Sequence, residues 1–293
     1  MRRGDGLSHH YVSQLAHVEI NTPTPQASLD FFTDVLGLQI SHREGQSVWL
    51  RAWGEFFHHS LKLTDAPAAG LAHAAWRVDG PDDLEPAAQR LLQHGVDGEF
   101  IDGDVGHGKA FRFTMPGGHP LELVWEVERF VAPADQRSVY PDRPQKQVAR
   151  NATVRRLDHC TVFTSRLLAD RQVMTEALRF RHMDTTVTPD GEEIFSTVTS
   201  GAHNHDYALV APPGYRGAGE MNHFCYLFEP GGNRLQLQTA GYWNYLPDWE
   251  PVVWQIAEGG NFAWQISQMP EPGTPAPSHA PPQFSLTETF GRA

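Results

Sequence analysis

His17, His73 and Glu122 are residue types that can together hold one divalent metal ion, two imidazoles and one carboxylate. Each lies in a short alternating run: Leu15-Ala16-His17-Val18-Glu19-Ile20, Ala72-His73-Ala74-Ala75-Trp76 and Leu121-Glu122-Leu123. The chain then repeats itself with changes. The first run returns as Leu157-Asp158-His159-Cys160-Thr161-Val162. Phe57-His58-His59-Ser60-Leu61-Lys62-Leu63 returns as His203-Asn204-His205-Asp206-Tyr207-Ala208-Leu209. Pro116-Gly117-Gly118-His119-Pro120-Leu121-Glu122-Leu123 returns as Pro230-Gly231-Gly232-Asn233-Arg234-Leu235-Gln236-Leu237, so the glutamate of the first copy is a glutamine in the second. Self-similarity of this kind marks a repeated structural unit.

The elements that must position these residues follow from local pattern. Residues 12–20 alternate as a strand, and Asn21-Thr22-Pro23 leads into a helix with Leu29, Phe32 and Leu36 on one face, ended by Gly37. Strands near 39–43, 47–53 and 57–63 complete a βαβββ module. A second module starts at Gly70, with a strand at 71–78, a helix at 82–94 and strands near 98–101, 109–114 and 120–126. A Pro- and Arg-rich connector, roughly 131–150, leads to a third, with a strand at 157–164, a helix at 166–178 and strands near 180–184, 192–199 and 203–210. The fourth module is cut short. His73 to Glu122 spans 49 positions and His223 to Gln236 spans 13, so about 36 residues, a helix and about two strands, are absent. Asn222-His223-Phe224-Cys225-Tyr226 reads either as the ligand strand or as the hairpin strand before the turn.

The expected organisation is a first domain over 12–130, a linker over 131–155, a second, truncated domain over 156–255, and a C-terminal cover with a disordered tail over 256–293. A chain of 293 residues with 40% hydrophobic and 20% charged residues suits two soluble globular domains. The net charge of −12, with no basic cluster, argues against a nucleic acid or an anionic membrane as partner. No apolar run reaches the roughly 18 residues of a membrane span, and Met1-Arg2-Arg3-Gly4-Asp5 lacks a signal-peptide core. Cys160 and Cys225 read as buried free thiols of a cytoplasmic protein, with a disulfide as the lesser alternative.

Several runs are more specific: Phe31-Phe32-Thr33-Asp34-Val35-Leu36-Gly37-Leu38, Glu44 to Trp53, Asn204-His205-Asp206, Glu229-Pro230-Gly231-Gly232-Asn233-Arg234 and Asp248-Trp249-Glu250-Pro251-Val252. On these the chain, from about Val12 to about Trp254, resembles the type I extradiol dioxygenases of the vicinal oxygen chelate superfamily, especially the catechol 2,3-dioxygenases. The resemblance implies an α+β fold of paired βαβββ modules forming incomplete barrels, here with the second domain shortened. It also implies Fe(II), less often Mn(II), and cleavage of a small aromatic diol with O2. The family's centre normally sits in the second domain, which maps its ligands to His159, His223 and Gln236, its acid–base histidine to His205 and a tyrosine to Tyr226. In the first domain His17, His73 and Glu122 correspond, with His59 matching His205 and His107 at a further pocket position.

A glutamine offers a neutral carbonyl where a dication wants a carboxylate. The second-domain site is therefore expected to be metal-free or weak, and the preferred centre is His17, His73 and Glu122. The competing reading of those three is inherited packing, with Glu122 paired to Arg112. The functional reading is extradiol cleavage of a catechol-type aromatic. The alternative is a catalytically silent descendant that binds a small molecule or serves a structural role. The cut edge in the second domain predicts a homo-oligomer.

Overall fold

The structure is a computed structural model and describes residues 10–147, 151–211, 224–239, 243–246 and 248–255. The first half contains β1 (Val12–Thr22), α1 (Pro25–Asp30), β2 (Gln39–Glu44), β3 (Ser47–Arg51), β4 (Leu61–Asp65), β5 (Gly70–Val78), α2 (Leu84–Gln93), β6 (Gly98–Ile101), β7 (Ala110–Thr114) and β8 (Pro120–Val124). Its eight strands form one mixed sheet in the order β2-β3-β4-β1-β5-β8-β7-β6. The two modules join where β1 runs antiparallel to β5, while each module closes on itself through a parallel pair, β1 with β4 and β5 with β8. The sheet curls strongly. Five strand spacings separate β4 from β6, about 24 Å in a flat sheet, yet Lys62 on β4 lies 2.6 Å from Asp104, just beyond β6.

Register sorts the side chains of this curled sheet into two faces. Val18, Ala74, Trp76, Leu121 and Leu123 belong to the main core with Leu29 and Phe32. His17 pairs with Ala75 and Glu19 with His73, while Ala75 pairs with Glu122. Alternation therefore puts His17, Glu19, His73 and Glu122 together on the opposite, inner face.

The second half contains β9 (Cys160–Phe163), α3 (Leu167–Gln172), β10 (Arg181–Val187), β11 (Glu193–Thr199), β12 (Tyr207–Val210), β13 (Phe224–Phe228), β14 (Arg234–Gln238) and β15 (Val252–Gln255). It forms a five-stranded sheet, β15-β10-β11-β12-β9, and a separate hairpin, β13-β14. The parallel pair β9–β12 sets Cys160 against Tyr207, as β1–β4 sets Val18 against Leu61, so the repeat is one of register as well as of residues. The helices that follow the first strand of each half, α1 and α3, widen into a π turn, at Phe31–Val35 and Val173–Ala177. At each, a threonine hydroxyl donates to the carbonyl four residues back, Thr33 to Leu29 and Thr175 to Arg171. Gly37 follows the first turn with φ 78°, and Arg179 takes the same left-handed conformation after the second.

The hairpin settles the two readings of the strand before Glu229. Tyr226 faces Gln236 across β13–β14 as Arg112 faces Glu122 across β7–β8, so β13 is the hairpin strand. His223 lies outside the described residues, as does the C-terminal cover at 256–293. His59 and His205 stand 146 positions apart but Gly117 and Gly231 only 114, so the shortfall measured on paired elements is 32 residues rather than about 36. The strand expected at 57–63 begins at Leu61, because Phe57 and His58 bond instead to Arg129 and Glu128. Cys225, expected to be buried, is exposed, since among the described residues its strand pairs only with β14.

The halves pack against each other through Trp76, whose ring meets Phe180 and Tyr207 edge-on, and through reciprocal turns. Gly117 N–H donates to Asp170 at 2.7 Å, and the Asn233 amide donates to the Asn21 carbonyl at 2.9 Å. Trp249 donates to the Met183 carbonyl, whereas Trp243 and Tyr245 stack on one another in the open. No helix among the described residues is long and apolar enough to cross a membrane.

Candidate metal centre

The ligand atoms offered by His17, His73 and Glu122 lie within 4.8 Å of one another, and all three residues are buried. Only the methyl group of Ala75 stands in the row between His17 and Glu122, which keeps the space between them open. The Nε2 atoms of His17 and His73 are 3.0 Å apart. Arg112 donates twice to Glu122 Oε2, at 2.7 and 3.1 Å. Glu122 Oε1 is buried with no hydrogen-bond partner. A carboxylate oxygen left unpaired in a dry site is costly, and a cation between it and the two imidazoles would meet that need. The donor set therefore fits a divalent ion of the Fe(II) or Mn(II) type. The expected Glu122–Arg112 pair is present and leaves one carboxylate oxygen for the metal.

Burial holds the His17 imidazole well below its usual pKa, helped by His59, His73 and His107, so it is neutral as a ligand must be. Burial, with His58 and His107 adding to it, likewise brings His59 down to about 3. The His59 ring lies 4.8 Å from His17, and its Nδ1 is 3.1 Å from His58 Nδ1. His107 stacks on His17 at 5.3 Å, with its Nε2 3.6 Å from Glu122 Oε1. It is carried by a tight loop in which a side chain at Gly106 would collide with His58 and His59.

Three charged residues near this centre were not expected from sequence: Glu19, Lys62 and Asp104. Glu19 takes His73 Nδ1 at 3.0 Å, and Lys62 ties it to Asp104 in the loop that carries His107. Burial raises the Glu19 carboxyl pKa. Hydrogen bonds from His73 and Thr64 and the Lys62 charge outweigh that and hold it at about 2. A signal for Glu19 was available, since it stands two residues after His17 and so shares its face.

The second half brings together His159, His205 and Gln236 but makes no comparable group. Among the described residues the His17, His73 and Glu122 set is the only cluster of three potential ligands. His159 and His205 have ring centroids 4.5 Å apart, and burial keeps His205 well below its usual pKa. Asp158 Oδ2 lies 3.0 Å from His159 Nδ1. Burial raises the Asp158 carboxyl pKa, but His159 and Arg156 outweigh it and leave it below the usual carboxylate range. Gln236 Oε1 lies 2.9 Å from His159 Nε2, and the Gln238 amide nitrogen lies 3.3 Å from His159 Nδ1. With a proton on Nε2, His159 donates to the Gln236 carbonyl, so the nitrogen a metal would use is already engaged. Tyr226 shares a face with Gln236 and lies under the Arg234 guanidinium at 3.9 Å.

A curled sheet of paired βαβββ modules thus carries, on one face, a buried His/His/Glu set of the kind that can hold a divalent metal ion. Residues 14–123 match the Glyoxalase/Bleomycin resistance protein/Dioxygenase superfamily. A metapyrocatechase of Geobacillus stearothermophilus is 34% identical over 89% of this chain and 91% of its own length. A manganese-dependent 2,3-dihydroxybiphenyl 1,2-dioxygenase of Geobacillus genomosp. 3 is 31% identical over 90% and 96%. The crystal structure of homoprotocatechuate 2,3-dioxygenase from Arthrobacter globiformis superimposes with a TM-score of 0.74 over 86% of this chain and 87% of that one, at 23% identity. The chain belongs to the type I extradiol dioxygenases of this superfamily.

Proposed function

We propose that this chain opens the ring of a catechol-type diol beside its hydroxyls, adding both atoms of O2, and that the working centre is the one on the first sheet. The activity follows from its extradiol relatives. The location rests on one observation: Glu122 Oε1 is buried, has no hydrogen-bond partner and is gathered with two imidazole nitrogens. Fe(II) is the metal this donor set calls for, with Mn(II) the alternative that a manganese-dependent relative suggests. Bound there, the ion would align diol and O2 and give electrons a path between them.

The chain's own residues supply the remaining work. His17, His73 and Glu122 come from one sheet face, so reactants would meet the ion on the side where His59 and His107 stand. His59 starts neutral and can take the proton of the second hydroxyl and later return it. Its Nδ1 is engaged by His58, which leaves Nε2 for that transfer. His17, His59 and His73 are each no more than 3% exposed and Glu122 is fully buried, so bulk water is kept from the reacting atoms. A cleft of about 500 Å³ lined by His107, Arg77, Trp125 and Glu126 adjoins this side and offers an entrance.

The test is anaerobic reconstitution with Fe(II), metal analysis and O2 uptake with catechol and 2,3-dihydroxybiphenyl. Bound iron, O2 consumption and a yellow ring-fission product support the assignment. A folded protein with neither iron nor turnover supports the second reading, a silent small-molecule-binding descendant. The direct His17–His73 contact and the Arg112–Glu122 pair speak for that reading, because they partly close the network without an ion.

A further inference from the structure

Glu19 is a buried acid next to the centre with no place in the ligand set. It stands directly opposite His73 in the β1–β5 pairing. Its Oε2 accepts from His73 Nδ1 at 3.0 Å. Its Oε1 accepts from the Thr64 hydroxyl at 2.6 Å and lies 3.5 Å from Lys62 Nζ. Lys62 is held in turn by Asp104 at 2.6 Å, so the carboxylate is fixed from both ends. An ionised carboxylate only accepts hydrogen bonds. The proton of a neutral His73 must then sit on Nδ1 and its lone pair on Nε2, the atom that faces His17 Nε2.

We propose that Glu19 is the positioning residue of the centre, holding His73 in the Nδ1–H tautomer and orientation and strengthening Nε2 as a ligand for a divalent ion. This rests on the reading of the first sheet as the metal centre. Carboxylates behind metal-bound histidines fix ring orientation and raise ligand basicity. The second half gives its acid to the other histidine: Asp158 precedes His159, where the first half has Ala16, and Thr161 stands at the place of Glu19. The acid behind His73 is thus specific to the half that keeps its glutamate ligand.

The experiment is a titration of the full chain with Mn(II), reading the free ion by electron paramagnetic resonance, for wild type, Glu19→Gln, Glu19→Leu and Glu122→Gln. Long-range 1H–15N spectra of the metal-free proteins read the His73 tautomer alongside. Glu19→Gln keeps an acceptor but loses the charge, and should retain the tautomer while weakening Mn(II) binding by about 10-fold. Glu19→Leu should weaken it further, towards about 100-fold, and release the Nδ1–H tautomer. If Glu19→Leu does not fold by near-ultraviolet circular dichroism, Thr64→Val, which frees one end of the carboxylate, should show a smaller loss in the same direction. Wild-type affinity and tautomer in the Glu19 variants, with binding lost in Glu122→Gln, would overturn the role of Glu19 and leave the centre standing. A wild-type chain that takes up no Mn(II), or a Glu122→Gln variant that binds it as wild type does, would overturn the centre and this proposal with it.

Discussion

The two halves share a register and two matched histidines, His17 with His159 and His59 with His205, yet among the described residues only one half gathers a metal-ligand set. On the first sheet, β5 lies between β1 and β8 and carries both His73 and the small Ala75 that leaves room for an ion. Among the described residues nothing occupies that place between β9 and β14, and the side chains of His159 and Gln236 meet across it directly. The difference teaches that a strand-borne metal centre depends on three things at once: a charge, a second imidazole and the strand that spaces them. Replacing glutamate by glutamine turns a charged ligand into a neutral hydrogen-bonding group, and an amide satisfies a histidine without any ion.

The largest break in the comparison should come from Glu122→Gln, which makes the first half resemble the second. One unit charge about 4 Å from another is worth roughly 4 kcal/mol in a protein site, about a thousandfold in affinity. We expect stoichiometric metal and turnover both to disappear, measured by metal analysis and O2 uptake. Retained iron would place the centre elsewhere. Next comes His59→Phe, which leaves the ligands in place. We expect metal binding to persist while kcat falls by about 10²–10⁴. An equal loss from His205→Phe would move the proton-handling role to the second half.

How much of this was legible in sequence depended on what each residue needs. His17, His73 and Glu122 could be read because the repeat marks them out by type and position. The register that brings them to one face, with Ala75 in the row, is a matter of β1–β5–β8 pairing that no local pattern reveals. Glu19 shares a face with His17 by simple alternation, but its partner His73 lies more than fifty positions away and meets it only across β1–β5. Asp104 is further still from sequence reasoning, since it reaches Lys62 only because the sheet curls. Tyr226 could be counted ten positions before Gln236, and the hairpin register shows why that spacing pairs the two across a turn. Cys225 was misplaced because an alternating apolar run normally has a neighbour on each side.

The turns that join the halves sharpen the comparison further. A Cβ on Gly117 would collide with the Thr164 hydroxyl and the Asp170 carboxylate, and one on Gly231 with the Thr22 hydroxyl and Glu229. Gly117 sits in a hairpin locked on both sides by other strands, whereas the β13–β14 hairpin is a two-stranded sheet. Gly117→Ala should therefore cost about 1–3 kcal/mol, lowering Tm by roughly 2–4 °C per kcal/mol. Gly231→Ala should cost less, because that hairpin can shift. An equal or larger loss from Gly231→Ala in thermal unfolding would mean the second hairpin is held as firmly as the first.

The smallest effect is expected from Gln236→Glu, although it restores the residue type that defines the first centre. The new carboxylate would face His159 Nε2 and accept a proton there, while Asp158 already holds Nδ1. Two carboxylates on one ring favour an imidazolium, which cannot bind a metal. Among the described residues no strand corresponds to β5 to carry the second ligand histidine. Metal content should stay at the wild-type value, with O2 uptake unchanged. A second equivalent of iron in Gln236→Glu would show that the charge alone had silenced this half. Unchanged content would show that the strand matters as much as the glutamate, which is what the geometry of the intact half requires.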